Sequence, residues 1–328
     1  MEMQLIKIIN GPKPKSALAL IIEDDGGLEN PGQLILDDFS APEVKSNRIF
    51  FNGDSIYDVW VSPAGDIWVS SCFGNIYTTA NVTFPKSPVK SPYNLKHKDI
   101  RNSGYNWKMY TLGAVVSADT IYSPDSIHVF IGTYSGHIFF WDGKTWTKQE
   151  TPTSLNNENY IYQLAGTAIN NVFAIGNMGS ALFHYNGKTW KNTAFDKEKH
   201  GSITPHGLLQ HPDGYLYLAC EGGRIWKTRD GRQFDLAAKD AKLDFSGIAY
   251  AHDQIILAAG EKGVYAYKDG KLKNIRNTFT AETVTGHGNQ AVFIRPSKET
   301  KDIMTVAYAV YSDSAEMPWE GFTIDFDK

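Results

Sequence analysis

His206 and His287 are the residues of this chain best suited to do chemistry. Each stands directly before a glycine, at matching points of a repeated strand pattern. Imidazole titrates near neutrality and ligates metals, so such a pair suits acid/base catalysis or coordination. Glu221 and Glu261 would be the carboxylates of a hydrolase or lyase at that place. A metal centre needs further ligands at fixed spacing, and neither a His-x-x-x-His pair nor a carboxylate cluster accompanies the histidines. Polar lining or strand-end hydrogen bonding uses the same residues, and no metal or cofactor is expected.

Recognition is a second kind of chemistry. Tyr57, Asp58, Tyr134, His137, Tyr162, Arg224 and Lys262 fall, like the four residues above, at strand starts or in short turns. Aromatic, imidazole and charged groups together suit a partner-binding face. Tyr57, Tyr134 and Tyr162 would also serve as stacking platforms for a carbohydrate or small molecule. Residues 81–106 are polar and proline-rich, and set Lys86, Lys90, Lys96, Lys98 and Arg101 against Asp99 alone. Pro85, Pro88 and Pro92 favour extended chain there. The segment reads either as a solvated connection or as an arm docking on an acidic protein surface, with Lys96, Lys98 and Arg101 as its contacts.

Other catalytic signatures are missing. Gly143-Lys144-Thr145 lacks the upstream glycine and the helix of a phosphate loop, and no Gly-x-Ser-x-Gly elbow or calcium loop occurs. Cys72 and Cys220 are far apart, in no metal or redox spacing, and read as two buried free thiols.

The elements that must hold these residues repeat. Glycine precedes an apolar strand at Gly32, Gly74, Gly136, Gly179, Gly223, Gly263 and Gly321. Most of these intervals fall in the range of a four-stranded propeller blade. The two longer ones coincide with 81–106 and with a charged turn at Lys298 to Asp302. Within a period, short apolar strands alternate with Pro-Asp-Gly, Glu-Gly-Gly or Asp-Gly turns, and no window has a helical apolar period. The fold class is all-β: one β-propeller domain over residues 1–328, with seven four-stranded blades and an insertion at 81–106. The N-terminal strand would open the first blade or complete the last.

In that geometry the inner strands start at Tyr57-Asp58, Leu112-Gly113, Tyr162-Gln163, His206-Gly207, Ser246-Gly247 and His287-Gly288. Glycine there relieves crowding where the strands converge. The turns between second and third strands add Tyr134, His137, Asn177, Met178, Glu221, Arg224, Glu261 and Lys262 on the same face.

The phrase Gly-Lys-Thr-Trp occurs twice, after Asp142 and after Asn186. Asp-Gly and Asn-Gly predict type I′ hairpins, and Trp146 and Trp190 would then pack between blades. With Thr228, Asp230, Gly231 and Phe234, and with Asp269-Gly270, these stretches resemble the Asp-box hairpin. The chain thus resembles bacterial propellers of the sialidase-like, photosystem-assembly-factor-like or WD40/YVTN-like kind. The resemblance implies that the box is a structural turn, remote from any site. Sialidase chemistry would need an arginine triad; of the seven arginines, Arg229 and Arg232 sit in an outer hairpin, and no Arg-Ile-Pro motif occurs.

The net charge of −4 argues against a dedicated nucleic-acid binder. The first residues carry no signal-peptide pattern, and no apolar run is long enough for a bilayer, so a cytoplasmic protein is expected. The leading expectation is a monomeric, non-enzymatic module that binds another protein through the propeller face and the basic insertion. An immunity-type protein that neutralises a toxin would be one such case. A channel-mouth hydrolase or lyase and a carbohydrate-binding propeller are the alternatives.

Overall fold

A computed structural model of the protein describes residues 2–24, 30–40, 45–96, 98–113, 116–152, 160–176, 181–193, 205–287, 289–294, 305–312 and 319–325. The expected strand grammar is present as seven antiparallel sheets of four strands, a seven-bladed β-propeller. The first sheet is β1 (Glu2–Asn10), β2 (Ser16–Asp24), β3 (Gly32–Asp38) and β4 (Lys45–Asn52). The second is β5 (Ile56–Val61), β6 (Ile67–Ser71), β7 (Asn75–Thr78) and β8 (Lys108–Thr111), with α1 (Lys98–Asn102) between its last two strands. The third is β9 (Ala118–Tyr122), β10 (Val129–Thr133), β11 (Ile138–Trp141) and β12 (Trp146–Gln149). The fourth is β13 (Ile161–Ala168), β14 (Asn171–Gly176), β15 (Ala181–Tyr185) and β16 (Trp190–Asn192). β17 (Pro205–Gln210), β18 (Leu216–Cys220), β19 (Arg224–Thr228) and β20 (Asp235–Lys239) form the fifth. β21 (Gly247–Ala251), β22 (Gln254–Ala258), β23 (Val264–Lys268) and β24 (Lys271–Arg276) form the sixth. β25 (Thr283–His287), β26 (Gln290–Ile294), β27 (Thr305–Ser312) and β28 (Trp319–Asp325) form the seventh. By contact density the chain divides into two compact units, Met1–Leu164 and Ala165–Lys328, with the boundary inside β13.

One open alternative is resolved here and one expectation changes. β1 pairs with β2 and opens the first sheet; it does not complete the last. Gly321 lies in β28, a fourth strand, and the seventh third strand is β27, so the long final interval disappears. The charged turn at 298–302 lies outside the described residues.

Burial grades across each sheet. β6, β10 and β18 are buried at every residue, because both faces of a second strand meet neighbouring sheets. This explains their unbroken apolar runs. β12 and β24 keep polar side chains in solvent, as fourth strands should. Between sheets the core is shared: Leu18, Leu34 and Phe50 of the first sheet pack with Ile56, Val69 and Tyr77 of the second. In the second unit, Tyr217 and Ile225 pack with Ile248 and Leu257. Each such fully buried side chain contributes roughly 2 kcal/mol.

First strands converge closely enough to need glycine. A Cβ on Gly207 would lie 2.8 Å from Ile248 Cγ2, and one on Gly247 would lie 3.0 Å from Val284 N.

The repeated hairpin differs from its expected form. Asp142 N donates to Thr145 O at 3.2 Å, which centres the turn on Gly143-Lys144. Only Gly143, at φ +93°, has positive φ there, whereas type I′ requires two such residues. Asp142 Oδ1 accepts from Lys144 N and Thr145 N, and Asn186 Oδ1 repeats the pattern with Lys188 and Thr189. The aspartate caps the turn from outside its centre. Asp269 and Gly270 do both adopt positive φ, as type I′ demands. Trp146 packs across sheets against Tyr110, with ring centroids 6.1 Å apart, while Trp190 lies against Tyr185 of its own sheet.

The insertion is a fastened strap. Phe84 packs on Trp68, Tyr110 and Trp141. Ile100 and Trp107 enter the core of the first two sheets, and Trp107 Nε1 donates to Ile49 O at 3.1 Å. Between these anchors the chain climbs the edge of β8: Ser87 Oγ accepts from Thr111 N, and Tyr93 lies 5.3 Å from Phe73 in the β6–β7 turn. It thus covers part of the free edge that a fourth strand would otherwise expose.

Candidate functional site

The residues expected to form a face gather most clearly in Met1–Leu164, where first strands begin and second-to-third turns lie. β1, β5 and β9 each carry one surplus residue opposite the neighbouring strand, in the middle of β1 and at the second residue of β5 and β9. Those residues are Ile6, Tyr57 and Asp119. A bulge re-aims a side chain, and here it turns the surplus residue outward. Ile6 is 40% exposed and Tyr57 43%, while Asp119 is half-buried. His206 is the surplus residue at the same point of β17, and it too is exposed.

The residue after each bulge turns inward, which corrects the placing of Asp58 on a contact face. Asp58 is 6% exposed. Its carboxylate pairs with Lys7 Nζ and accepts from Thr120 Oγ1 at 3.0 Å, Ile121 N at 2.9 Å and Val59 N at 2.8 Å. Lys7, Asp58 and Thr120 each follow a bulge, so one layer, with Asp58 and Thr120 buried and Lys7 half-buried, ties three first strands together. Asp58 is a brace, unavailable to a partner.

Above this layer Tyr57, Ser117, Asp119, Tyr134, Tyr160 and Tyr162 form a continuous arc. Ser117 Oγ donates to Asp119 Oδ1 at 2.6 Å and also faces the Tyr57 hydroxyl. Tyr134 N donates to Ser117 O at 3.1 Å. The Tyr134 ring, in a residue 61% exposed, stacks on Tyr160 at 5.7 Å and 8°, and Tyr160 in turn meets Tyr162 at 5.8 Å. Burial, with the Asp58 charge adding, pushes the Asp119 carboxyl up to about 6. His137 closes the Tyr134 turn, its amide donating to Thr133 Oγ1, with Nδ1 3.0 Å from Glu150 Oε2. Burial and the Lys148 charge hold His137 below its ordinary value.

Behind Tyr57 lies a buried polar knot. Asp54 accepts from Asn75 Nδ2 at 2.6 Å and Tyr77 OH at 2.8 Å, and Asn75 Oδ1 accepts from Thr111 Oγ1 at 2.9 Å. Burial raises the Asp54 carboxyl. The knot fixes the loop before β5 to the β6–β7 turn.

Other expected residues are dispersed. In the second unit His206 Nε2 and Glu221 Oε1 form an exposed pair 3.7 Å apart. Arg224 is half-buried at the start of β19, and Glu261 and Lys262 are exposed in the β22–β23 turn. His287 is the last residue of β25, facing Gln290 across the turn into β26, whereas His206 is the second residue of β17. The expected pairing of the two histidines at matching strand starts is therefore wrong, because β25 begins four residues earlier, at Thr283. The His287 side chain, Asn177 and Met178 lie outside the described residues. Lys86, Lys90, Lys96, Lys98 and Arg101 all point to solvent from the strap. Among the described residues no group of three His, Cys, Asp or Glu is placed to hold a metal ion.

Three corrections concern site geometry. Leu112-Gly113 follows β8 and does not start an inner strand; the third one starts at Ala118. This error hid Asp119. Tyr160 was also missed, although the alternation Tyr160-Ile161-Tyr162 was there to read.

No family model matches the sequence, and no curated protein matches it. Solved structures do. YCF48 bound to a D1 peptide aligns with a TM-score of 0.54 at 11% identity, covering 84% of this chain and 82% of its own. The WD40 β-propeller domain of Doa1 gives 0.53 at 13%, covering 92% and 98%. Sqt1 of Saccharomyces cerevisiae gives 0.55 at 10%, covering 98% and 85%. At such identities the likeness concerns the propeller fold alone.

Proposed function

We propose that the protein is a binding propeller whose partner is another protein, held on the arc from Tyr57 to Tyr162. The observation that carries this reading is the exposed Tyr134 ring stacked on Tyr160, continuous with Tyr57 through Ser117. Tyrosine brings large contact area at small entropic cost, and such residues dominate interface energetics. The peptide named with YCF48, a fold neighbour, supports a peptide-sized partner. The outward lysines of the strap would favour an acidic region on that partner. In a finer version the partner is a toxin whose active site the arc caps, as an immunity-type protein would.

A photo-crosslinking amino acid placed at Tyr134, in cells of the source organism, tests the reading. Ile127, 56% exposed in the β9–β10 loop, is the control site. A discrete protein adduct at 134, missing at 127 and lost on Tyr160→Ala, is expected. Equal labelling at both positions would refute it. The identity of the adduct decides the toxin version.

A further inference from the structure

We infer that Asp119, Ser117 and Tyr57 form a subsite for one cationic side chain, a lysine ammonium or arginine guanidinium of the bound partner. This deepens the proposal above and rests on it. Three observations carry the assignment. Asp119 is half-buried, and its hydrogen-bond partner is a neutral hydroxyl, Ser117 Oγ at 2.6 Å. Lys7, the cation one strand-layer below, is committed to Asp58 and to Val59 O. The Lys7–Asp58 pair cancels, so among the described residues the Asp119 carboxylate has no counter-ion.

Tyr57 supplies the second wall. Its bulge holds it 43% exposed, and its hydroxyl lies close enough to Ser117 and Asp119 to feel both. A carboxylate beside an exposed aromatic ring meets both requirements of an ammonium or guanidinium: a charge-assisted hydrogen bond and a π face. The causes that act on the Asp119 carboxyl are burial, Ser117 and Asp58, with no strap cation among them. The bulge of β9 is what brings a carboxylate to this place, since strict alternation would have turned residue 119 differently.

A displayed library of random peptides, selected on the immobilised full chain, tests the subsite. Peptides that need the arc are those lost on Tyr134→Ala. Among them, lysine or arginine should recur at one position. Replacing it with norleucine, or introducing Asp119→Asn, should weaken binding on the order of tenfold, and the two changes together should cost little more than either alone. Arc-dependent peptides without a recurrent cation overturn the subsite and leave the binding face standing. A selection yielding no arc-dependent peptide overturns both. Melting of Asp119→Asn at or above the wild-type temperature excludes misfolding as the cause of any loss.

Discussion

Asp58 and Thr120 occupy the same position of adjacent first strands, one residue past a bulge, and Thr120 Oγ1 donates to Asp58 Oδ2 at 3.0 Å. The outward residues Tyr57 and Asp119 therefore sit on a braced base. Asp58→Ala removes acceptors from Ile121 N, Val59 N and Lys7. A loss of about 3 kcal/mol in urea unfolding is expected, against about 1 kcal/mol for Lys7→Met, whose partner keeps its other donors. Equal losses would mean that the ion pair, and not the amide contacts, holds the layer.

Asp119 makes stability depend on pH with a defined sign. The carboxyl titrates at about 6 in the folded chain, against an ordinary 3.8. Between these values the folded chain keeps a proton that the unfolded chain has released, so stability falls as pH rises through about 6. Asp119→Asn removes this penalty while its carbonyl can still accept from Ser117. The variant should melt with the wild type near pH 4 and above it at pH 7.5. A melting difference that stays constant across the range would rule the shift out.

Phe84 anchors the strap to three aromatic rings, whereas the strap lysines touch solvent. Phe84→Ala should cost about 2 kcal/mol, less than a full core truncation, because the ring is half-buried. Trypsin should then cut near Lys86 and Lys90. Lys86→Glu with Lys90→Glu should shift stability by no more than about 0.5 kcal/mol. Rapid cleavage of the wild-type strap would contradict the packing described.

Cys220 is buried as expected, whereas Cys72 is only half-buried. Burial pushes the Cys72 thiol up to about 11, with Asp54 adding to the effect, and raises Cys220 as well. Thiolate is the reactive form. A native chain at neutral pH should react with a disulfide reagent slowly, and release two equivalents only on unfolding. Fast labelling of the folded protein would disprove this.

The repeat could be read from the sequence because turn residues and strand lengths are local properties. Seven sheets and the close approach at Gly207 followed from that. The bulges did not follow. Nothing around Tyr57 or Asp119 marks a surplus residue, since a bulge is a mismatch between two strands and shows only when both are paired. Asp58 was misread for the same reason: its partners Lys7 and Thr120 come from positions 51 and 62 residues away. The turn at Gly143 was misplaced by one residue, because Asp142 caps from its side chain, a role that composition does not distinguish from a place in the turn.

Every sheet is built from strands that follow one another along the chain. Hydrogen-bonded partners are thus close in sequence, and the entropy lost in bringing them together is small. A chain leaving the ribosome would hold all the strands of one sheet before the next emerges. The fold can accumulate during synthesis, with the second sheet delayed by its strap, and no sheet must wait for a strand from the far terminus.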